Sequence, residues 1–111
     1  MRLTSELFAA WLVRRVFSDG GFAAIARRGS DAAGAVFVVC RDRLGGVRLF
    51  GPAPQTLADE KGDRRFVRED AADEEALNRR FEREARFDPD FWVIEIETDD
   101  PERYLTVVAA D

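Results

Sequence analysis

A run of nine uncharged residues, positions 32–40, constrains the fold of this chain more than any other stretch. Its sequence is Ala-Ala-Gly-Ala-Val-Phe-Val-Val-Cys, without a proline or a charged side chain. Successive side chains of a β-strand point to opposite faces of the sheet. Both alternating sets are apolar here: Ala35, Phe37 and Val39 on one face, and Val36, Val38 and Cys40 on the other. The run therefore predicts a central strand that is covered on both faces.

Periodic apolar residues near the start of the chain predict a first helix. Thr4 or Ser5 can cap its beginning, and the two glycines after Asp19 accept the left-handed backbone that ends a helix. Its apolar residues recur at three- and four-residue spacings and form one stripe: Leu7, Phe8, Trp11, Leu12 and Val16. This pattern predicts that Trp11 lies in the core, whereas a partly exposed tryptophan would instead mark a binding face.

A second helix is predicted in the last third of the chain. Asp73 can cap it, and Pro89 forces an end near Phe87. Its apolar residues repeat at intervals of four, which is typical of a helix packed along one side: Leu77, Phe81 and Ala85.

Short apolar segments predict strands at residues 22–28, 33–42, 47–50, 64–69 and 91–98. Short turns join the first three, which predicts an antiparallel meander. The last segment alternates, so Trp92, Ile94 and Ile96 are expected to face the core. The order of elements predicts one α+β domain over residues 1–111, with a mostly antiparallel, four- to five-stranded sheet and two helices packed on one face.

The composition removes several classes of function. The chain has no histidine, the usual general base near neutral pH and the commonest transition-metal ligand. Its single cysteine, Cys40, excludes an internal disulfide and a thiolate metal cluster, and its apolar surroundings predict an inert thiol. We therefore expect no cofactor and no metal. Enzymatic activity is left open, and the residue inventory argues against it.

Charge and hydropathy argue against nucleic acid and membranes as partners. The net charge is −5, and no apolar run approaches the ~18 residues of a membrane span. Residues 7–13 are apolar but lack the flanks of an export signal, so we expect a cytoplasmic protein. Residues 1–56 hold eight arginines against four acids, whereas residues 57–111 hold nine basic residues against eighteen acids. This asymmetry would let the two halves attract each other in the fold or would favour self-association, but a mixed solvated surface is the better explanation.

Polar residues beside predicted turns form a candidate ligand site. Arginine forks bind carboxylates and phosphates, and two Arg-Arg pairs, at 27–28 and 64–65, would form an anion site if they converge. The candidate ligand-binding residues are Arg28, Gln55, Arg65, Asp88 and Asp90. Pairing of arginines with the many acids, and the turn chemistry of aspartate, are the alternative explanations.

The apolar tail offers a candidate interface. Tyr104, Leu105, Val107 and Val108 follow a turn at Pro101 and are too apolar for a solvated tail. They would add an edge strand or pack on a partner, and an open sheet edge is the other candidate contact. Together with the uneven charge, the tail favours a protein-interaction or accessory domain that binds another protein or a second copy of itself. A small-molecule or anion-binding domain, which could be an enzyme, is the alternative.

Several stretches resemble the DUF1491 family of short uncharacterised bacterial proteins, found mainly in alphaproteobacteria. They are Arg-Arg-Gly at 27–29, the apolar residues 33–38, Leu-Phe-Gly-Pro-Ala-Pro-Gln at 49–55, Asp-Arg-Arg-Phe at 63–66 and Arg-Phe-Asp-Pro-Asp-Phe-Trp-Val at 86–93. The resemblance implies a cytoplasmic, single-domain bacterial protein. It implies no activity and supplies no catalytic residues.

Overall fold

The computed structural model describes residues 3–54 and 64–109. In these residues it has two α-helices, a short 3₁₀ helix and six strands. The helices are α1 (Ser5–Ser18) and α2 (Glu74–Phe87), and the 3₁₀ helix is Pro101–Arg103. The strands are β1 (Phe22–Arg27), β2 (Val36–Arg41), β3 (Val47–Pro52), β4 (Arg65–Glu69), β5 (Trp92–Glu97) and β6 (Thr106–Val107).

The predicted helix boundaries are confirmed, because the sequence contains the capping chemistry that sets them. Thr4 is the N-cap of α1 and its hydroxyl accepts a hydrogen bond from the amide of Leu7. Gly20, with φ of 83°, ends α1 in the left-handed conformation. Asp73 caps α2 by accepting from the amide of Ala76.

The described strands form one mixed sheet in the order β1-β5-β2-β3-β4-β6. β1 pairs antiparallel with β5, β2 with β3, and β3 with β4. β5 runs parallel to β2, and β6 runs parallel to β4. The α+β class is thus confirmed, whereas the predicted four to five strands become six in the described part of the chain.

The central strand β2 is covered on both faces, as its composition predicts. Its residues Val36, Val38 and Cys40 face α1, and Phe37 and Val39 face α2. The α1 side holds a larger core: Phe8, Ala9, Leu12, Val16, Ala23, Phe50, Phe66, Trp92, Ile94, Ile96 and Leu105 complete it. On the α2 side, Val47, Leu49, Ala71, Leu77, Phe91 and Val93 are buried, with Phe81 and Ala85 packed against them.

The prediction that two helices pack on one face is therefore wrong. Each α-helix of the described chain covers its own face of the sheet, as the two separate cores show. The physical reason lies in β2 itself. A strand with apolar side chains on both faces needs a cover on each, and one helix supplies each cover.

The predicted meander of the first three strands is also wrong in one of its two pairings. β2 and β3 form the expected hairpin, but β5 inserts between β1 and β2. β1 and β2 are thus two strand spacings apart, about 9–10 Å. The connecting loop, residues 28–35, reaches across this gap and is fixed to the start of β5 by the amide of Ser30, which donates to the carbonyl of Asp90 at 2.9 Å.

Candidate functional site on the first helix

Helix α1 has more apolar residues than one helix face can bury. Nine of the eleven residues from position 7 to position 17 are apolar, and the other two are arginines. The face toward the sheet is built by Phe8, Ala9, Leu12 and Val16, all buried. A surface helix normally has polar residues opposite its buried face. The opposite side of α1 departs from that rule.

The outer face of α1 consists of Leu7, Ala10, Trp11, Arg14 and Phe17. These residues follow the spacing i, i+3, i+4, i+7 and i+10, so they share one side of the helix. Leu7 is 56% exposed, Trp11 40% and Phe17 51%. Ala10 and Arg14 are exposed as well. This surface is thus apolar and has one positive charge near its centre.

The prediction that Trp11 lies in the core is wrong. Trp11 precedes the fully buried Leu12 by one residue, and one residue is a turn of about 100° on a helix. Its ring lies 5.8 Å from the ring of Phe8, which covers one side of the indole and leaves the remainder in solvent. Trp92, by contrast, is fully buried, as predicted.

Arg14 makes no salt bridge with any of the described residues, a property that it shares with Arg68, Arg83 and Arg86. Its neighbour Arg15 has a long contact of 3.9 Å with Asp19 and lies over the ring of Tyr104. The positive charge of Arg14 is therefore available to a carboxylate on another molecule.

The N-terminal end of α1 is fixed to the rest of the molecule. The amides of Ser5 and Glu6 donate to the carbonyls of Ala32 and Asp31, at 3.3 and 2.9 Å. The Ser5 hydroxyl donates to the carbonyl of Gly34. These bonds satisfy helix-terminal amides that would otherwise bind an anion, so this terminus is structural.

The C-terminal end of α1 is fixed to the tail. The Tyr104 hydroxyl donates a 2.9 Å hydrogen bond to the carboxylate of Asp19, which also contacts Arg103 at 3.2 Å. The bond from Tyr104 and the charges of Arg103 and Arg15 lower the pKa of Asp19. Burial and the carboxylate raise the pKa of Tyr104. With both ends held, α1 presents its outer face on a rigid frame.

The structure brings part of the predicted ligand site together. Arg28 pairs with Glu6 in the first turn of α1 and lies 5.0 Å over the ring of Trp92. Asp88 accepts a hydrogen bond from the amide of Asp90, a local turn. The backbone carbonyl of Asp90 accepts a hydrogen bond from the amide of Ser30, which is two residues after Arg28. These three predicted residues lie in one region, and these contacts serve the fold.

One arginine of each predicted pair contacts the first turn of α1. Arg64 donates to the hydroxyl of Ser5 at 3.0 Å and to the carbonyl of Leu3 at 3.2 Å. Arg28 and Arg64 thus hold the same first turn of α1. Arg65 is the first residue of β4, opposite Thr106. The fifth predicted ligand residue, Gln55, lies outside the described residues.

The predicted interface in the tail is largely used within the chain. Leu105 is buried, and Tyr104 and Val107 pack against the core on the α1 side. The amide of Val108 donates to the carbonyl of Phe66 at 2.8 Å, which continues the pairing of β6 with β4. The tail adds an edge strand, which is one of its two predicted roles.

Sequence reasoning missed Leu7, Ala10 and Phe17 as surface residues, yet the signal is present. The stripe predicted for α1 spans both sides of the helix, because it combines the exposed Leu7 and Trp11 with the buried Phe8 and Leu12. A helix that is apolar nearly all round predicts a second covered face.

An open groove of about 710 Å³ lies where β2 and β5 end. Its charged lining residues are Arg41, Asp42, Arg43, Glu97 and Asp99. Arg43 pairs with Asp99 at 2.7 Å. Arg41 binds Glu74, which together with Glu95 raises the pKa of the guanidinium. Its mixed charge gives the groove no clear ligand preference.

Metal and thiol chemistry find no support in the described part of the chain. No group of three acidic or cysteine side chains is arranged there to hold a metal ion. Burial raises the pKa of the Cys40 thiol to about 12, which agrees with the prediction of an inert packed side chain. Across the described residues, no helix has the length and apolarity to cross a membrane.

The described residues thus define a small α+β protein that presents an apolar helix surface. The chain belongs to the family described as "Protein of unknown function (DUF1491)", whose model matches residues 3–106. This confirms the resemblance found in the sequence. No curated protein matches the chain.

Solved structures with the same fold come from two bacteria. A protein of A. tumefaciens, solved in solution, is 47% identical and has a TM-score of 0.86 over 100% of this chain and 98% of its own. A DUF1491 family protein of Caulobacter crescentus CB15, solved by crystallography, is 37% identical with a TM-score of 0.77 over the whole of both chains. A DUF1491 family protein from Caulobacter crescentus CB15 solved by NMR is 38% identical and has a TM-score of 0.76, over 100% of this chain and 99% of its own. The family description names no activity, so a proposal has to start from the residues of this chain.

Proposed function

We propose that this protein acts by binding another polypeptide, and that the outer face of α1 is its contact surface. The observation behind the proposal is the exposure of Leu7, Trp11 and Phe17 on a helix that is fixed at both ends. Contiguous apolar surface on a soluble protein indicates an interaction site more often than isolated apolar residues do.

The residue types on this face are those that dominate binding energy at interfaces. Trp and Arg are enriched among the residues whose truncation costs most, and Trp11 and Arg14 are three residues apart on the same side. Leu7 and Ala10 supply the surrounding apolar contact. An aromatic anchor beside a positive charge favours a partner that offers an apolar patch with a carboxylate at its rim.

The rigidity of α1 supports the same role. Ordering a flexible segment on binding costs free energy, roughly 0.5–1.5 kcal/mol for each immobilised side chain that has many rotamers. Helix α1 is ordered before binding, because Ser5 and Glu6 tie its first turn to the loop and Asp19 ties its end to the tail. The single thiol, Cys40, is buried and free, which supports a reducing cytoplasm as the place of action.

The proposal is tested with a photo-cross-linking amino acid placed at position 7 of the full chain, in the bacterium that encodes it. We expect irradiation to give a discrete covalent adduct, either with another protein or with a second copy of the chain. The matched control carries the same amino acid at Glu75, on α2, a helix of the same length whose Glu75 side chain is 85% exposed.

Discrete adducts from position 7 and none from position 75 would support the proposal. A chain that gives no discrete adduct from position 7, or the same diffuse products from both positions, would show that the outer face of α1 is merely solvent-exposed.

A further inference from the structure

We infer that the occupant of the outer face of α1 is the same face of a second copy, packed antiparallel about a two-fold axis. This inference rests on the proposed function and names its partner. A two-fold interface requires a surface that is complementary to itself, so that residue i meets residue j and residue j meets residue i. The outer face of α1 meets this requirement in its pattern of side-chain size and in its pattern of charge.

The size pattern is symmetric about a point between Ala10 and Trp11. In an antiparallel pair with that centre, positions whose numbers add to 21 lie opposite each other. Trp11 of each copy then packs over Ala10 of the other, a large side chain against a small one. Leu7 lies opposite Arg14 in the same arrangement. Alternation of large and small residues across a helix contact is what allows close packing.

The charge pattern is symmetric about the same point. Glu6 lies one residue before Leu7, about 100° around the helix and thus at the rim of the outer face, so the long side chain of Arg14 has to extend past the partner's Leu7, which its aliphatic stem covers, to reach the partner's Glu6 carboxylate. The pair would form twice in one dimer. Arg14 has no salt bridge among the described residues, and the Glu6 side chain is 46% exposed although Arg28 contacts it.

A parallel arrangement does not offer this match. It would place Arg14 against Arg14 and Trp11 against Trp11, so that like charges repel and the two largest side chains collide. The charge order along α1, with Glu6 near its beginning and Arg14 near its end, therefore selects the antiparallel arrangement.

The contact is small, which sets the expected strength. A helix of 14 residues is about 21 Å long, and the area of one such face falls short of the roughly 800 Å² that each partner contributes to a standard interface. The dimer is therefore expected to be weak, forming in the micromolar range or above. Sedimentation equilibrium of the purified full chain from a few micromolar to about 1 mM would detect it.

The decisive experiment mixes two charge-reversed variants. In Arg14→Glu and in Glu6→Arg, both contacts of a homodimer become repulsive, so each variant is expected to dimerise at least about tenfold more weakly than the parent chain. A mixture of the two restores both attractions. The retained Glu6 of one variant meets the retained Arg14 of the other at one contact, and the two introduced side chains, which have opposite charges, meet at the second. The mixture is expected to associate as strongly as the parent chain does.

The matched control is Arg83→Glu, which makes the same charge change at an exposed position on α2 and should leave association unchanged. Circular dichroism verifies that each variant is folded. A parent chain that stays monomeric at about 1 mM, or a mixture no more associated than its components, would overturn the inference. Cross-linking from position 7 to a different protein, with a monomeric parent chain, would overturn the second copy as occupant and leave the proposed function standing. If position 7 gives no discrete cross-link and the parent chain stays monomeric, both the proposed function and the second copy as occupant are overturned.

Discussion

The indole Nε1–H of Trp92 donates a 2.7 Å hydrogen bond to the backbone carbonyl of Ser30, 62 residues earlier in the chain. Trp92 is the first residue of β5 and is fully buried. Together with the bond from the Ser30 amide to Asp90, it fixes the loop after β1 around the start of β5. The insertion of β5 between β1 and β2 is thus held by a side chain as well as by strand pairing.

Replacing Trp92 by phenylalanine should destabilise the fold by about 2–4 kcal/mol, because the carbonyl of Ser30 loses the shorter of its two hydrogen bonds, the other being a 3.4 Å bond from the Gly34 amide, and a void remains beside it. Urea unfolding monitored by circular dichroism measures the change. Trp11→Phe is the control, since Trp11 is 40% exposed and should stay within about 0.5 kcal/mol of the parent. Equal costs at the two tryptophans would contradict the structural account.

Phe37→Ala should cost roughly 3–5 kcal/mol of stability, the usual range for emptying an aromatic site in a core. Phe37 is 1% exposed and meets the rings of Phe81 and Phe91 edge to face, at 5.9 and 5.6 Å. Chemical denaturation gives the value. Phe87→Ala removes a ring that is 83% exposed and serves as the comparison. A midpoint for Phe37→Ala close to that of Phe87→Ala would mean that the α2 side of the sheet is not a core.

The bond between Tyr104 and Asp19 predicts a pH dependence of stability. Because the pKa of Asp19 is lowered in the folded state, its contribution is present above the ordinary carboxyl pKa and is lost as the pH falls through the lowered value. Because the pKa of Tyr104 is raised, its contribution is present below the ordinary phenol pKa near 10 and is lost as the pH rises through the raised value.

The corresponding measurement compares urea midpoints of the parent chain and Tyr104→Phe from about pH 2.5 to pH 11. The difference between them should be largest between about pH 5 and pH 9 and should shrink at both extremes. A difference that is constant across this range would assign the effect of the substitution to lost packing.

The two leucines on opposite sides of α1 should respond differently to substitution. Leu12 is fully buried, so Leu12→Ala is expected to cost about 2–5 kcal/mol. Leu7 is 56% exposed, so Leu7→Gln should change stability by no more than about 0.5 kcal/mol while it weakens self-association. Thermal unfolding at low micromolar concentration separates stability from association. A large loss of stability in Leu7→Gln would mean that Leu7 supports the fold.

Much of the secondary structure follows from local signals in the sequence. Thr4, Asp73 and the glycine after Asp19 set the helix ends by local hydrogen bonding and backbone geometry, and these act over a few residues. The alternation in β2 and β5 likewise assigns side chains to faces, because the period of a strand is fixed. Such features need no knowledge of the remainder of the chain.

The pairing of strands and the placement of helices do not follow in this way. Nothing in β1 or β2 specifies that Ile25 is opposite Ile94 or that Val38 is beside the same residue, because these contacts join distant segments. The site was predictable only in part for a related reason. The spacing of Leu7 and Trp11 shows that they share a side of α1, but which side meets the sheet is decided by packing with Phe66 and Ile94.

The position of β5 has a consequence for synthesis on the ribosome. A nascent chain that has emerged only as far as α2 has β1 and β2 but lacks the strand that lies between them. The edge of β2 that pairs with β5 in the folded protein is therefore unpaired at this stage, and a strand from another chain can bind to it. The residues from β5 onward thus complete the sheet, and the incomplete sheet is the state of this chain most exposed to pairing with another molecule.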